Sequence, residues 1–483
     1  MNRRQLITAL GAAAILPAAA FPPAAVSPAD LAGDIAILTE ALKLHPGLYR
    51  YTTPRQIEER IARLRQGFVA SSSLEQRYLL LSRFLAEIRC GHSYCNFFNQ
   101  KKQVAADLFD RPTRLPFHFI WIGGRMIVTA DPGRFGVPAG SEILSINGQD
   151  GGALLRSLMP YARADGHNDA KRVSLLGVAG GDPIEFFDVF HGLVAARPIG
   201  GAHHIVLRGP DGVRRAIELP AIDLAQRRAP MPVRDYRGDQ PVWDWKVRAD
   251  NVAVLTMPGW ALYDSKWDWR SWLNDRLDSL KGARGLIVDL RDNEGGQDCG
   301  DLILARLIRR TLVEPGARRL VRFRRTPADL DRYLDTWDDS FRRLGQDAVP
   351  VENGFLQLQG DHADDTIQPV GPHIDLPVVA LIGPVNSSAT FQFAQKARSS
   401  GRVRLFGQGT GGNQRGINGG CFFFVRLPAS GIEFDLPLIG YFPPGSPPDA
   451  GIAPDMLVAP TSRDIASGRD RALDDATGWI LDR

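Results

Sequence analysis

Ser387 and Ser388 stand directly after an apolar run and directly before helical spacing, a place where a hydroxyl is exposed yet held rigidly. The run Leu376 to Ile382 is apolar enough for a strand buried on both faces, Gly383-Pro384 stops it, and helical spacing resumes at Phe391, Phe393 and Ala394. Such a strand-turn-helix junction suits a nucleophile: the turn holds Oγ away from the sheet while N–H groups at the helix start face a developing oxyanion. Either serine could instead be only a helix cap. A similar junction upstream bears on that choice. There, Leu286 to Leu290 reads as a buried strand, Asn293 to Gly296 as a turn, and Asp301 to Ile308 as an amphipathic helix. Gly295-Gly296 frees backbone N–H groups to point at an anion, as an oxyanion hole requires.

With both junctions quoted, Val288-Asp289-Leu290-Arg291-Asp292-Asn293-Glu294-Gly295-Gly296 resembles the DLRxNxGG signature of the S41 serine peptidases, the tail-specific or C-terminal processing proteases. Asn386-Ser387-Ser388-Ala389 is similar to their nucleophile segment, and Phe406 to Gly412 to their GExTxG loop. Leu427-Pro428-Ala429-Ser430-Gly431 and Gly451-Ile452-Ala453-Pro454-Asp455 match further blocks, the latter resembling GVxPD. The N-terminal part joins through Leu44 to Tyr49 and through Ile88-Arg89-Cys90-Gly91-His92-Ser93, which resembles the DGHT segment. Pro138 to Gly148 looks like the GDxILxING strand of a PDZ-type module, without a recognisable carboxylate-binding loop.

The resemblance implies an α/β fold: an S41-type, ClpP/crotonase-like core over 240–470, with an N-terminal helical cap over 28–108 and a β-rich, partly PDZ-like region over 112–235. It also implies a serine hydrolase of peptide bonds in which Ser388 attacks and the N–H groups of Gly295, Gly296 and Ala389 hold the oxyanion. One departure concerns the base. Where a serine–lysine dyad places lysine, this chain has Asn413, whose amide cannot take a proton. Lys396 lies on the helix after Ser388, and Arg415 stays protonated. The tricorn-like, histidine-using branch takes its base from the N-terminal region, and His92 matches that position. Asp449 is the expected acid orienting His92, and Ser93 is a candidate to assist. Phe391, where many members carry Glu, and the missing lysine favour instead a noncatalytic ligand-binding protein on the same scaffold. An esterase of small acyl substrates shares the acyl-enzyme chemistry.

Other features bound the setting. Met1-Asn2-Arg3-Arg4-Gln5-Leu6-Ile7 and the apolar stretch to Ala20 resemble a twin-arginine secretion signal over 1–26, implying a periplasmic or secreted protein. Arg3 and Arg4 carry half of the formal charge of +4, so a processed chain is nearly neutral and unsuited to nucleic acid. The four cysteines are dispersed, and no metal-ligand spacing or cofactor motif is found. Cys90 and Cys95 bracket His92 and could form a bridge or remain free thiols. Helical spacing predicts helices over Asp34 to Leu44, Pro54 to Phe68 and Leu74 to Ile88, and short strands are expected to dominate 112–235. The tryptophans between Trp243 and Trp272 suit packing better than a substrate groove. Arg318, Arg319, Arg322, Arg324 and Arg325 read as a solvated face.

Overall fold

The computed structural model of the protein describes residues 26–195, 198–232, 234–359 and 364–483. The expected leader falls on residues 1–25, outside the described residues. Three helices follow, Pro28–Leu42, Pro54–Ala70 and Leu74–Glu87, each opened by a hydroxyl cap at Ser27, Thr53 or Ser73. The first starts earlier than its apolar spacing suggested, because Ser27 caps it and Pro28 presets its first turn. A fourth helix, Lys102–Phe109, comes after the loop that carries His92.

The strands His118–Ile122, Arg125–Ala130, Glu142–Ile146, Ala202–Arg208 and Arg214–Pro220 form an antiparallel sheet in that order. The region 112–235 is rich in strands as expected, and it also holds helices that the sequence reading did not mark. Between the third and last two strands the chain inserts the helices Gly151–Leu158, Asp169–Leu175 and Phe186–Val194. Every residue from Phe186 to Leu193 is buried, so that segment has no polar face to reveal a helical period.

From 244 onward the chain forms two six-stranded sheets and a small antiparallel pair, Leu312–Pro315 with Asp364–Ile367. One runs in the order Met456–Leu457, Val403–Gly407, Val378–Ile382, Gly285–Asp289, Val252–Thr256, all parallel, and ends on the antiparallel strand Asp244–Val247. Its central strands are apolar on both faces because helices cover both, as parallel sheets require. The other sheet centres on the long hairpin Asn418–Arg426 and Glu433–Phe442. Side chains of that hairpin share one hydrophobic core with the N-terminal helices and the middle sheet.

The tryptophans pack. Trp243 meets Trp267 and Trp269 at ring distances of 5.0 and 5.7 Å, and Trp260 is fully buried. The arginines of 318–325 find internal partners: Arg318 pairs with Glu352 and Arg322 lies 3.5 Å over the Phe355 ring.

Candidate active site

Parallel pairing sets Val378 beside Leu286 and Leu381 beside Asp289, so the carboxyl ends of these two strands lie together and their turns open on one edge of the sheet. Two buried asparagines cross-brace the turns. Asn386 accepts from the Gly383 N–H at 2.7 Å and donates to the carbonyls of Leu290 and Asn293. Asn293 donates to the Met257 carbonyl at 2.8 Å and accepts from the Gly295 N–H at 2.9 Å and the Thr390 hydroxyl at 2.8 Å.

Ser388 begins the helix Ser388–Ser400 with φ 52°, a left-handed backbone that serine enters only at a cost. Ser387 makes no side-chain cap bond, and the N–H groups of Thr390 and Phe391 return to its carbonyl, so capping does not account for either hydroxyl. Ala389 follows within the first turn, where intrahelical acceptors are lacking. Gly295 and Gly296 have φ of 122° and 135°. A Cβ on Gly295 would stand 2.9 Å from Ser388 Cβ, and one on Gly296 would stand 2.2 Å from the Trp260 backbone. Both close approaches demand glycine.

His92 sits in the loop after Leu74–Glu87. The Gly91 N–H donates to Asp165 Oδ1 at 2.8 Å, and the Gly91 carbonyl accepts from Arg163. The imidazole lies near Gly419 and 5.8 Å from the Phe422 ring, with Nδ1 buried and unpartnered. Burial pushes its pKa below the ordinary histidine value; Arg163 and Lys171 push the same way, while Asp165 and Glu294 oppose. Among the described residues no hydrogen bond joins His92 to Ser388.

Asp449, expected to orient His92, is bound elsewhere. Its Oδ2 accepts a hydrogen bond from His167 Nδ1 at 2.6 Å, and Oδ1 accepts from the His167 N–H at 3.0 Å and from Asn413 Nδ2 at 2.7 Å. Proximity in the chain to the Gly451 block suggested the residue, but the segment 165–168 folds over it and fills its acceptors. Ser93 is likewise engaged: His45 Nδ1 accepts from the Gly47 N–H, so His45 Nε2–H donates to Ser93 Oγ at 2.9 Å. Burial, aided by Arg50, pushes His45 down to about 3, which keeps it neutral. Cys90, Cys95, Cys299 and Cys421 are all free thiols, so no bridge spans the His92 loop. Among the described residues no group of three or more His, Cys, Asp or Glu side chains could hold a metal ion.

Sequence reasoning did not find Lys171, Arg163 and Glu294. Lys171 Nζ donates to Glu294 Oε1 at 2.6 Å, to the Val385 carbonyl at 2.7 Å and to Ser387 Oγ at 3.3 Å. Only the position of Glu294 directly before the glycine pair could have signalled it.

The family model for peptidase family S41 matches residues 251–458, the segment that carries both turns. The chain matches peptidase family S41 over this segment. It is a serine-type peptidase with the mixed α/β fold of that family. No curated protein matches it in sequence. Among solved structures, mature CPAF complexed with lactacystin is similar with a TM-score of 0.60 at 15% identity, over 94% of this chain and 97% of that one. A second structure of mature CPAF gives 0.57 at 17% identity, over 94% and 96%. At such identities the likeness concerns the fold. It extends the shared architecture beyond 251–458 to nearly the whole chain. Among the described residues no helix is long and apolar enough to cross a membrane.

Proposed function

We propose that the protein is an exported endopeptidase that hydrolyses peptide bonds through an acyl-enzyme on Ser388, with His92 as general base. The observation that carries this reading is the left-handed Ser388 pressed against Gly295, at the mouth of a helix. In the reaction, Ser388 Oγ attacks the scissile carbonyl as His92 takes its proton, and the N–H groups of Gly296 and Ala389 face the oxyanion; the Gly295 N–H, expected to join them, is instead taken by Asn293 Oδ1. His92 then gives the proton to the leaving amine, and water, deprotonated by His92, releases the acid product. Export is supported by Arg3-Arg4 and the apolar stretch that follows.

A second reading is favoured by the His167–Asp449 pair, which has the form of an oriented base: Nδ1 donates to a carboxylate, and the side chain is 59% exposed. Peptide turnover by single variants separates the two. We expect Ser388→Ala and His92→Ala each to lose at least about a thousandfold in kcat/KM, with the double variant scarcely worse, and His167→Ala to stay within about tenfold. Loss in His167→Ala with retention in His92→Ala transfers the base to His167. Retention in Ser388→Ala removes the mechanism altogether.

A further inference from the structure

Lys171 is buried on the short helix Asp169–Leu175, where a charged ammonium is costly unless every proton is used. All three are used, on Glu294 Oε1, the Val385 carbonyl and Ser387 Oγ. The Ser387 hydroxyl in turn donates to the Glu294 carbonyl at 3.2 Å, closing a ring between the nucleophile turn and the glycine turn. Glu294 Oε1 also meets Arg163 at 2.9 Å, and Arg163 donates to the Gly91 carbonyl next to His92 while stacking 4.4 Å over the Tyr94 ring. Burial pushes Glu294 upward, but Arg163 and Lys171 outweigh it and hold the carboxyl at about 2.

Resting on the Ser388–His92 reading, we propose that Glu294, Lys171 and Arg163 are positioning residues whose ion pairs fix the nucleophile turn, the oxyanion turn and the base loop in one register. Three separate segments, 91–94, 294–296 and 385–388, meet through a single carboxylate oxygen and the two cations it holds. Stability alone gives little reason for such a network, since apolar replacements of buried ion pairs are often neutral or better. Register is the gain.

The network also sets the field at His92. The charges facing the imidazole are Asp165, Arg163 and Lys171 from segment 163–171 and Glu294 from the glycine turn. From its own loop comes Cys90, kept neutral by burial, and the hairpin side presents Gly419 and Phe422. Removing negative charge at 294 lets the neutral base persist to lower pH; removing positive charge at 171 does the reverse.

The test measures the pH profile of kcat/KM, the split between kcat and KM, and the rate of fluorophosphonate labelling of Ser388 in Glu294→Gln and Lys171→Met, with His92→Ala alongside. We expect kcat and labelling to fall about ten- to a hundredfold with KM within about threefold. The acid limb should move down in Glu294→Gln and up in Lys171→Met, by about half a unit or more. If Lys171→Met does not fold, the isosteric Glu294→Gln carries the test alone. Labelling and kcat within about threefold of wild type overturn the network. Limbs that move together, or stay fixed while His92→Ala is dead, overturn its electrostatic part. A fully active His92→Ala defeats the underlying base assignment instead, and labelling then decides the register by itself.

Discussion

A serine at φ 52° is a residue held where glycine would be more comfortable, and the surroundings explain how it is kept there. The turn on its amino side is braced by Asn386, and Gly295 packs so closely that a Cβ there would stand 2.9 Å from Ser388 Cβ. The cost is paid in stability, of order 1–3 kcal/mol. Ser388→Gly should therefore melt higher than Ser388→Ala by the equivalent of about 1 kcal/mol, with both inactive. Equal melting temperatures would show that the turn is unstrained. The strand-turn-helix setting of Ser388 could be read from the chain because its three parts are contiguous. The partner of Asp449 could not, since His167 reaches it across 282 positions and only folding brings the two together.

At the scale of elements, the buried strands and the helices that follow them were legible almost to the residue. The expected strand Leu286 to Leu290 is Gly285–Asp289, and the expected helix Asp301 to Ile308 is Gly300–Leu307. Both have strong local signals: an apolar run, a glycine stop, then a new period. The helix Phe186–Val194 lacked them, because it is buried all round and shows no polar face. The braces across the two turns explain what the signature asparagine does. Asn293→Ala leaves the Met257 carbonyl, the Gly295 N–H and the Thr390 hydroxyl without their partner. We expect a loss of roughly 2–4 kcal/mol in stability and of most kcat, since the turn that aims the Gly296 N–H loses its brace. A variant with native melting and native kcat would refute the brace.

Across the whole molecule, the regions that the sequence divides at 108 and 235 share one apolar core with the hairpin that follows the nucleophile segment. A polar seam runs through it at Asp435. Asn96 and Asn99, from the loop after His92, donate to its two carboxyl oxygens at 2.7 and 2.9 Å. Burial raises its pKa to about 7, against the two amides and Arg163, which lower it. The unfolded carboxyl titrates near 3.9, so between about pH 4 and 7 the folded state holds the extra proton and stability falls as pH rises. The stabilising contribution is complete below the unfolded pKa and gone above the folded one. Asp435→Asn cannot titrate. Its unfolding free energy should therefore lack a decline of roughly 2 kcal/mol that wild type shows from pH 5 to pH 8. Asp182 and Glu185, raised to about 6 and about 8 mainly by burial, contribute slopes common to both proteins, which the difference removes. Parallel profiles for the two proteins would mean that Asp435 stays ionised in the seam. The two asparagines would then hold a charged carboxylate between the base loop and the hairpin.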